Sequence, residues 1–133
     1  MATDFLTELR RALAAEAAVE LALLFGSRAT GHHRIDSDVD LAVRAPGLDT
    51  LELARRLSLR IGREVDVIEL DAVGYPLLRE LIECGVIVAE RVRGAAGQWR
   101  SGALATLETD RPWFERMRNA YLARAAEGTR SPW

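Results

Sequence analysis

Apolar residues change their spacing several times along this chain, and each change marks an element. Phe5, Leu6, Leu9, Leu13 and Ala17 recur near a 3.6-residue period, which predicts a helix over 4–18. Glu20 to Phe25 is a short apolar run stopped by Gly26, the pattern of a buried strand. Residues 27–37 are polar and read as a loop, with room for one helical turn after Ser27. Asp38 to Val43 alternates with period two, a strand closed by Ala45-Pro46-Gly47. Asp49 and Glu52 have capping-box spacing before a helix marked by Leu51, Leu53, Ala54, Leu57 and Ile61, and Gly62 ends it. Glu64 to Leu70 alternates again as a third strand. A helix from Pro76 to Cys84, bounded by Gly85, precedes a fourth strand, Val86 to Ala89. Arg93 to Gly102 carries three glycines and reads as a linker. A last helix is expected over Arg111 to Ala126, with Asp110 as cap and Pro112 in its first turn. The fold class is therefore α/β or α+β: a small mixed sheet of about four strands with helices packed on it, plus a C-terminal helix.

Composition narrows the classes. At 133 residues, 49% hydrophobic and 29% charged, the chain has the profile of a soluble globular protein. Its net charge of −2 gives no global field for nucleic acid, so no direct nucleic-acid partner is expected. All 18 basic residues are arginine, which excludes a phosphate-loop lysine or a Schiff-base lysine. The single cysteine, Cys84, excludes an internal disulfide or a multi-cysteine zinc site and reads as a core thiol. The N-terminus lacks an apolar signal region, and the longest apolar run is far too short to cross a bilayer. A cytoplasmic protein without a membrane partner is expected.

The chemistry gathers on three carboxylates. Asp38 and Asp40 are two apart on a strand, so they share a face, with carbons about 6.6 Å apart. Val39, Leu41 and Val43 point the other way into the core. Asp66 lies on the next strand between Val65 and Val67; if the strands are neighbours, it comes within about 4.8 Å of the pair. Carboxylates so crowded repel one another, and a hard divalent cation, Mg²⁺ or Mn²⁺, resolves the repulsion. At the end of the first strand, Gly26 and Ser27 can present backbone N–H groups and a hydroxyl to phosphate oxygens, and Arg28 and Arg34 can add charge-assisted contacts. A D-x-D or a G-S dipeptide alone is a weak signal. His32 and His33 read as solvated loop residues, and Asp36 as a loop residue behind the pair.

The combination is specific. Gly26-Ser27, ten residues, Asp38-Val39-Asp40, then an apolar-flanked Asp66 resembles the pattern of the DNA polymerase β-like nucleotidyltransferase superfamily. The stretch GSRATGHHRIDSDVDLAV is similar to its minimal nucleotidyltransferase (MNT) members, with a likeness covering about residues 20–92. The resemblance implies transfer of a nucleoside monophosphate from a nucleoside triphosphate to a hydroxyl. Asp38, Asp40 and Asp66 would ligate two Mg²⁺ (Mn²⁺ as the alternative). Asp66 would also help to activate the acceptor, and Gly26 and Ser27 would hold the triphosphate. For short MNT proteins it further implies an antitoxin that adenylylates a tyrosine of a HEPN-domain toxin, with ATP as substrate. On this view residues 1–93 form the nucleotidyltransferase domain, and 94–133 a glycine-containing linker and amphipathic helix that contacts a partner or a second copy. Trp113, Phe114, Met117, Ala120, Tyr121 and Arg124 lie on one stripe of that helix, which either docks on its own sheet or meets a partner; Trp133 ends a tail that is docked or sticky. Three alternatives stay open: an enzyme for a small, aminoglycoside-like acceptor working as a dimer, an antitoxin that acts by binding alone, and a nucleic-acid end-modifier, which the acidic net charge disfavours.

Overall fold

The structure, a computed structural model, describes residues 4–30 and 38–126. Arg34, His32, His33, Asp36 and Trp133 lie outside the described residues. The elements run α1 (Phe5–Ala14), β1 (Leu21–Phe25), α2 (Ser27–Thr30), β2 (Val39–Arg44), α3 (Thr50–Ile61), β3 (Val65–Glu69), a 3₁₀ turn (Leu70–Ala72), α4 (Tyr75–Cys84), β4 (Val86–Glu90) and α5 (Ala95–Ala126).

The four strands form one mixed sheet in the order β3-β2-β1-β4. β1 is antiparallel to both β2 and β4, and β2 is parallel to β3 through the α3 crossover. Alternation along the strands feeds two cores. Ala22, Leu24, Val39, Leu41, Val43 and Val65 pack against Leu9 and Leu13 of α1 and Leu53 and Leu57 of α3. Leu21, Leu23 and Ala42 face the other way, against Leu78 and Leu81 of α4 and Ala95, Trp99 and Ala103 of α5. The sheet is thus covered on both faces, which is why β1 is a nearly unbroken apolar run.

The α3 crossover sets the register of β3. Asp49 caps α3 by accepting from the Leu51 N–H at 2.9 Å, and Gly62 ends it in the left-handed region at φ 69°. The expected capping box is half made: Asp49 caps, whereas Glu52 accepts from Arg55 and Arg56. The Ser58 hydroxyl donates to the Ala54 carbonyl and accepts from the Val65 N–H, tying the helix to the first residue of β3. From α3, Arg56 grips Glu16 in the turn after α1 with two bonds of 2.8 and 3.1 Å.

Three expectations need correction. Residues 95–102 are not a linker, and the last helix does not begin near Arg111; α5 is one helix of 32 residues. Gly97 and Gly102 each cost about 1 kcal/mol in helix propensity, and Pro112 lacks the N–H that would reach the Glu108 carbonyl. Burial of Trp99 (6% exposed), Ala95 and Ala103 against the sheet outweighs the glycine cost where the linker was expected. Glu90, at the end of β4, supplies the start signal from outside the helix, accepting from the Ala96 N–H at 2.8 Å. The first helix stops at Ala14 rather than 18, because Glu16 and Val19 turn back through bonds to Leu13 and Glu16. Cys84 is exposed on the last turn of α4, not a core thiol.

Candidate active site

Three strand ends converge at one corner of the sheet. Asp40, near the start of β2, pairs with Phe25 at the end of β1 on one side and with Asp66 of β3 on the other. Parallel register puts Asp40 and Asp66 level, one strand spacing (about 4.8 Å) apart. By alternation both stand on the α4–α5 face, Asp40 in phase with Ala42 and Asp66 with Ile68. Asp38 lies one residue before β2 and is exposed; the Val39 N–H beside it donates to the Glu64 carbonyl at 2.9 Å.

Asp40 is half-buried, and its carboxyl is held above the usual carboxylate range. Burial is the main cause; the charges of Asp66, Asp38 and Glu80 add to it. Glu80, on α4, is the member that sequence reasoning missed. It belongs to no strand pattern, and only the packing of α4 on the sheet brings it into electrostatic reach.

Gly26 closes the corner. Its φ of 75° favours glycine, and a Cβ there would sit 2.6 Å from Asp40 Oδ2. The backbone at the end of β1 therefore runs directly against the Asp40 carboxylate. Ser27 follows as the first residue of α2, and the Ala29 N–H bonds back to the Gly26 carbonyl. Arg28 differs from the expected phosphate-gripping side chain: it is only 8% exposed, and its guanidinium lies over the Phe5 ring at 4.4 Å. The aromatic face offered by α1 turns it inward.

Among the described residues no three His, Cys, Asp or Glu side chains close into a metal-binding group. The donor set nevertheless fits a hard cation of the Mg²⁺ type. Such an ion takes one or two carboxylates from protein and the rest of its shell from water and substrate phosphates, and mutual repulsion at Asp40 is what a cation relieves. Two clefts of about 300 and 430 Å³ flank the Arg44–Asp71 ion pair at the other end of β2, and none of their lining residues belongs to this corner.

Sequence comparison places the chain in a family. The model of the "polymerase beta, nucleotidyltransferase" family matches residues 7–93, which hold Gly26, Ser27, Asp38, Asp40 and Asp66. The chain belongs to this family. The nucleotidyltransferase finds no match among curated proteins. Its fold is shared with solved chains. One, from a toxin–antitoxin crystal with AMP-PNP, superposes with a TM-score of 0.75 at 19% identity, covering 90% of this chain and 99% of that one. A second, from the MntA–HepT toxin–antitoxin, gives 0.68 at 18%, covering 88% and 96%. A third, from a tri-AMPylated Shewanella oneidensis HEPN toxin in complex with its MNT antitoxin, gives 0.69 at 16%, covering 89% and 99%. Among the described residues no helix of the nucleotidyltransferase is long and apolar enough to cross a membrane.

Proposed function

We propose that this nucleotidyltransferase is a cytoplasmic antitoxin that transfers AMP from ATP to a tyrosine hydroxyl of a HEPN-domain toxin. The observation that carries the reading is the level pairing of Asp40 with Asp66 beside the left-handed Gly26, in a chain of this family. The toxin–antitoxin chains that share the fold supply the partner class, and the AMPylated HEPN toxin the acceptor.

Gly26 and Ser27 receive the triphosphate at the corner, where the missing Cβ lets the backbone lie against the Asp40 carboxylate. Arg34 adds a cation to the phosphates. Arg28, laid over Phe5, holds α2 against α1 instead. Asp38, Asp40 and Asp66 would hold two Mg²⁺ (or Mn²⁺), which supply positive charge to the entering and leaving oxygens. The acceptor oxygen attacks the α-phosphorus in line, its bond forming as the bond to the β-phosphate oxygen breaks and pyrophosphate leaves. Asp66 takes up the hydroxyl proton.

The test incubates the chain with Mg²⁺, ATP labelled at the α-phosphate and a HEPN-domain toxin as acceptor. Label should appear on the HEPN protein, and Asp38→Ala or Asp40→Ala should abolish it without lowering the unfolding temperature. Undiminished transfer by either variant overturns the carboxylate assignment. A silencing complex that takes no label leaves an antitoxin acting by binding alone.

A further inference from the structure

Phe5 opens α1 and packs, half-buried, on the core beneath α1 and α3, the face of the sheet opposite to Asp40 and Asp66. Two guanidiniums meet its ring. Arg28 lies over it at 4.4 Å from the centroid, and Arg63 at 5.9 Å. These arginines come from the two segments that border the carboxylate corner. Arg28 is the second residue after Gly26, and Arg63 stands just ahead of β3, the third residue before Asp66. One aromatic side chain thus meets a cation from each.

α2 needs such an anchor. A helix of four residues does not hold itself together, because nucleation costs more than so few bonds return. Within the turn, the Ala29 N–H bonds to the Gly26 carbonyl at 3.2 Å. Toward the body of the protein, Ala29 packs against the core and Arg28 is laid on Phe5. Among the described residues, Glu16 and Arg28 are the buried charged side chains. Taking a guanidinium out of water is costly, and a cation–π contact gains strength in the same surroundings, so the ring is a firm hold on this residue. Asp4 and Glu8 flank Phe5 along α1, so what the ring contributes is position, not a field of one sign.

We infer that Phe5 is a positioning residue for the nucleotide: by holding Arg28 it fixes the Gly26–Ser27 turn in the form that receives a triphosphate. The inference rests on the function proposed above and deepens it by extending the nucleotide site to α1. Because the ring packs on the face away from Asp40 and Asp66, its effect falls on binding of MgATP and spares the transfer step. An interaction lost equally from ground state and transition state raises KM and leaves kcat unchanged. A purely structural role would instead lower the unfolding temperature and leave MgATP affinity as it was.

The experiment measures MgATP affinity of the full chain by calorimetry, and KM and kcat for label transfer to a HEPN-domain toxin, with unfolding temperature followed throughout. Phe5→Leu keeps the apolar bulk and removes the ring. Phe5→Tyr keeps the ring, and Arg28→Met keeps a long side chain without the charge. Phe5→Leu and Arg28→Met should each weaken MgATP binding by about tenfold, the scale of a desolvated cation–π contact. KM should rise in step, with kcat within about twofold of wild type. Phe5→Tyr should match wild type. The double variant Phe5→Leu/Arg28→Met should bind no more weakly than either single one, because both remove the same contact. MgATP binding by Phe5→Leu within about twofold of wild type overturns the proposal, whatever its unfolding temperature. Should that variant fail to fold, the same limit applies to Arg28→Met. An equal loss in Phe5→Tyr overturns it too, as do single losses that multiply in the double variant. A wild-type chain that binds no MgATP overturns this role and the transfer reading together. A chain whose MgATP affinity depends on the ring but which labels no toxin overturns the transfer reading alone.

Discussion

Asp40 meets three demands at once: its backbone continues the β2 ladder, its carboxylate lies against Gly26, and its charge faces Asp66, Asp38 and Glu80. Burial of that carboxylate, with the three neighbouring acids adding to it, makes it costly to the unliganded fold. Because the folded-state pKa lies above the unfolded one, the folded chain binds more protons between the two values, and stability falls as pH rises through that window. Asp40→Asn removes the charge and should raise the unfolding temperature at neutral pH without divalent cations. The gain should shrink as acid protonates the wild-type carboxyl, and it should reverse when Mg²⁺ and ATP stabilise only the wild type. A variant less stable than wild type in metal-free neutral buffer would contradict this account. Gly26→Ala should destabilise by at least about 1 kcal/mol, since it meets both the positive φ and the Asp40 oxygen. The acidic pair and Asp66 were legible because period-two alternation fixes a face and needs no tertiary knowledge. Glu80 and the inward turn of Arg28 were not, because each depends on which helix packs beside it.

At the scale of elements, strands and short helices were legible from period and punctuation, and the level pairing of Asp40 with Asp66 needed only the two strands to be neighbours. α5 was not. Gly97, Gly102 and Pro112 are local stop signals, and the burial of Trp99 that overrides the first two is a tertiary fact. Denaturant unfolding separates linker from helix. Trp99→Ala should cost about 3–5 kcal/mol, as for a large aromatic removed from a packed core. A Cβ at Gly102 meets nothing within 4 Å, so Gly102→Ala should stabilise by about 0.4–1 kcal/mol. A linker would show neither effect. In the outer half of α5, Phe114 stacks on Tyr75 of α4, while Trp113 and Met117 are exposed.

Across the whole molecule, stability is concentrated in the sheet and its two cores, while among the described residues the last buried side chain of α5 is Ala103. Hydrogen exchange should follow that division. Amides of β1 and β2 should exchange only with global unfolding, and those of α5 beyond about residue 115 through local opening at much lower free energy. Equal protection along the whole of α5 would show that it unfolds as one unit with the core. The open sheet has a further consequence at its margin. β3 is an edge strand, and an edge is a template on which another chain can add a strand unless something blunts it. In Val65-Asp66-Val67-Ile68-Glu69 the blunting comes from brevity and from Asp66 and Glu69, both exposed. Replacing Asp66 with an apolar residue would leave four consecutive apolar side chains at that margin. The carboxylate proposed for chemistry therefore also guards against aggregation, and inactive Asp66 variants are better made with asparagine than with alanine or valine if they are to stay soluble.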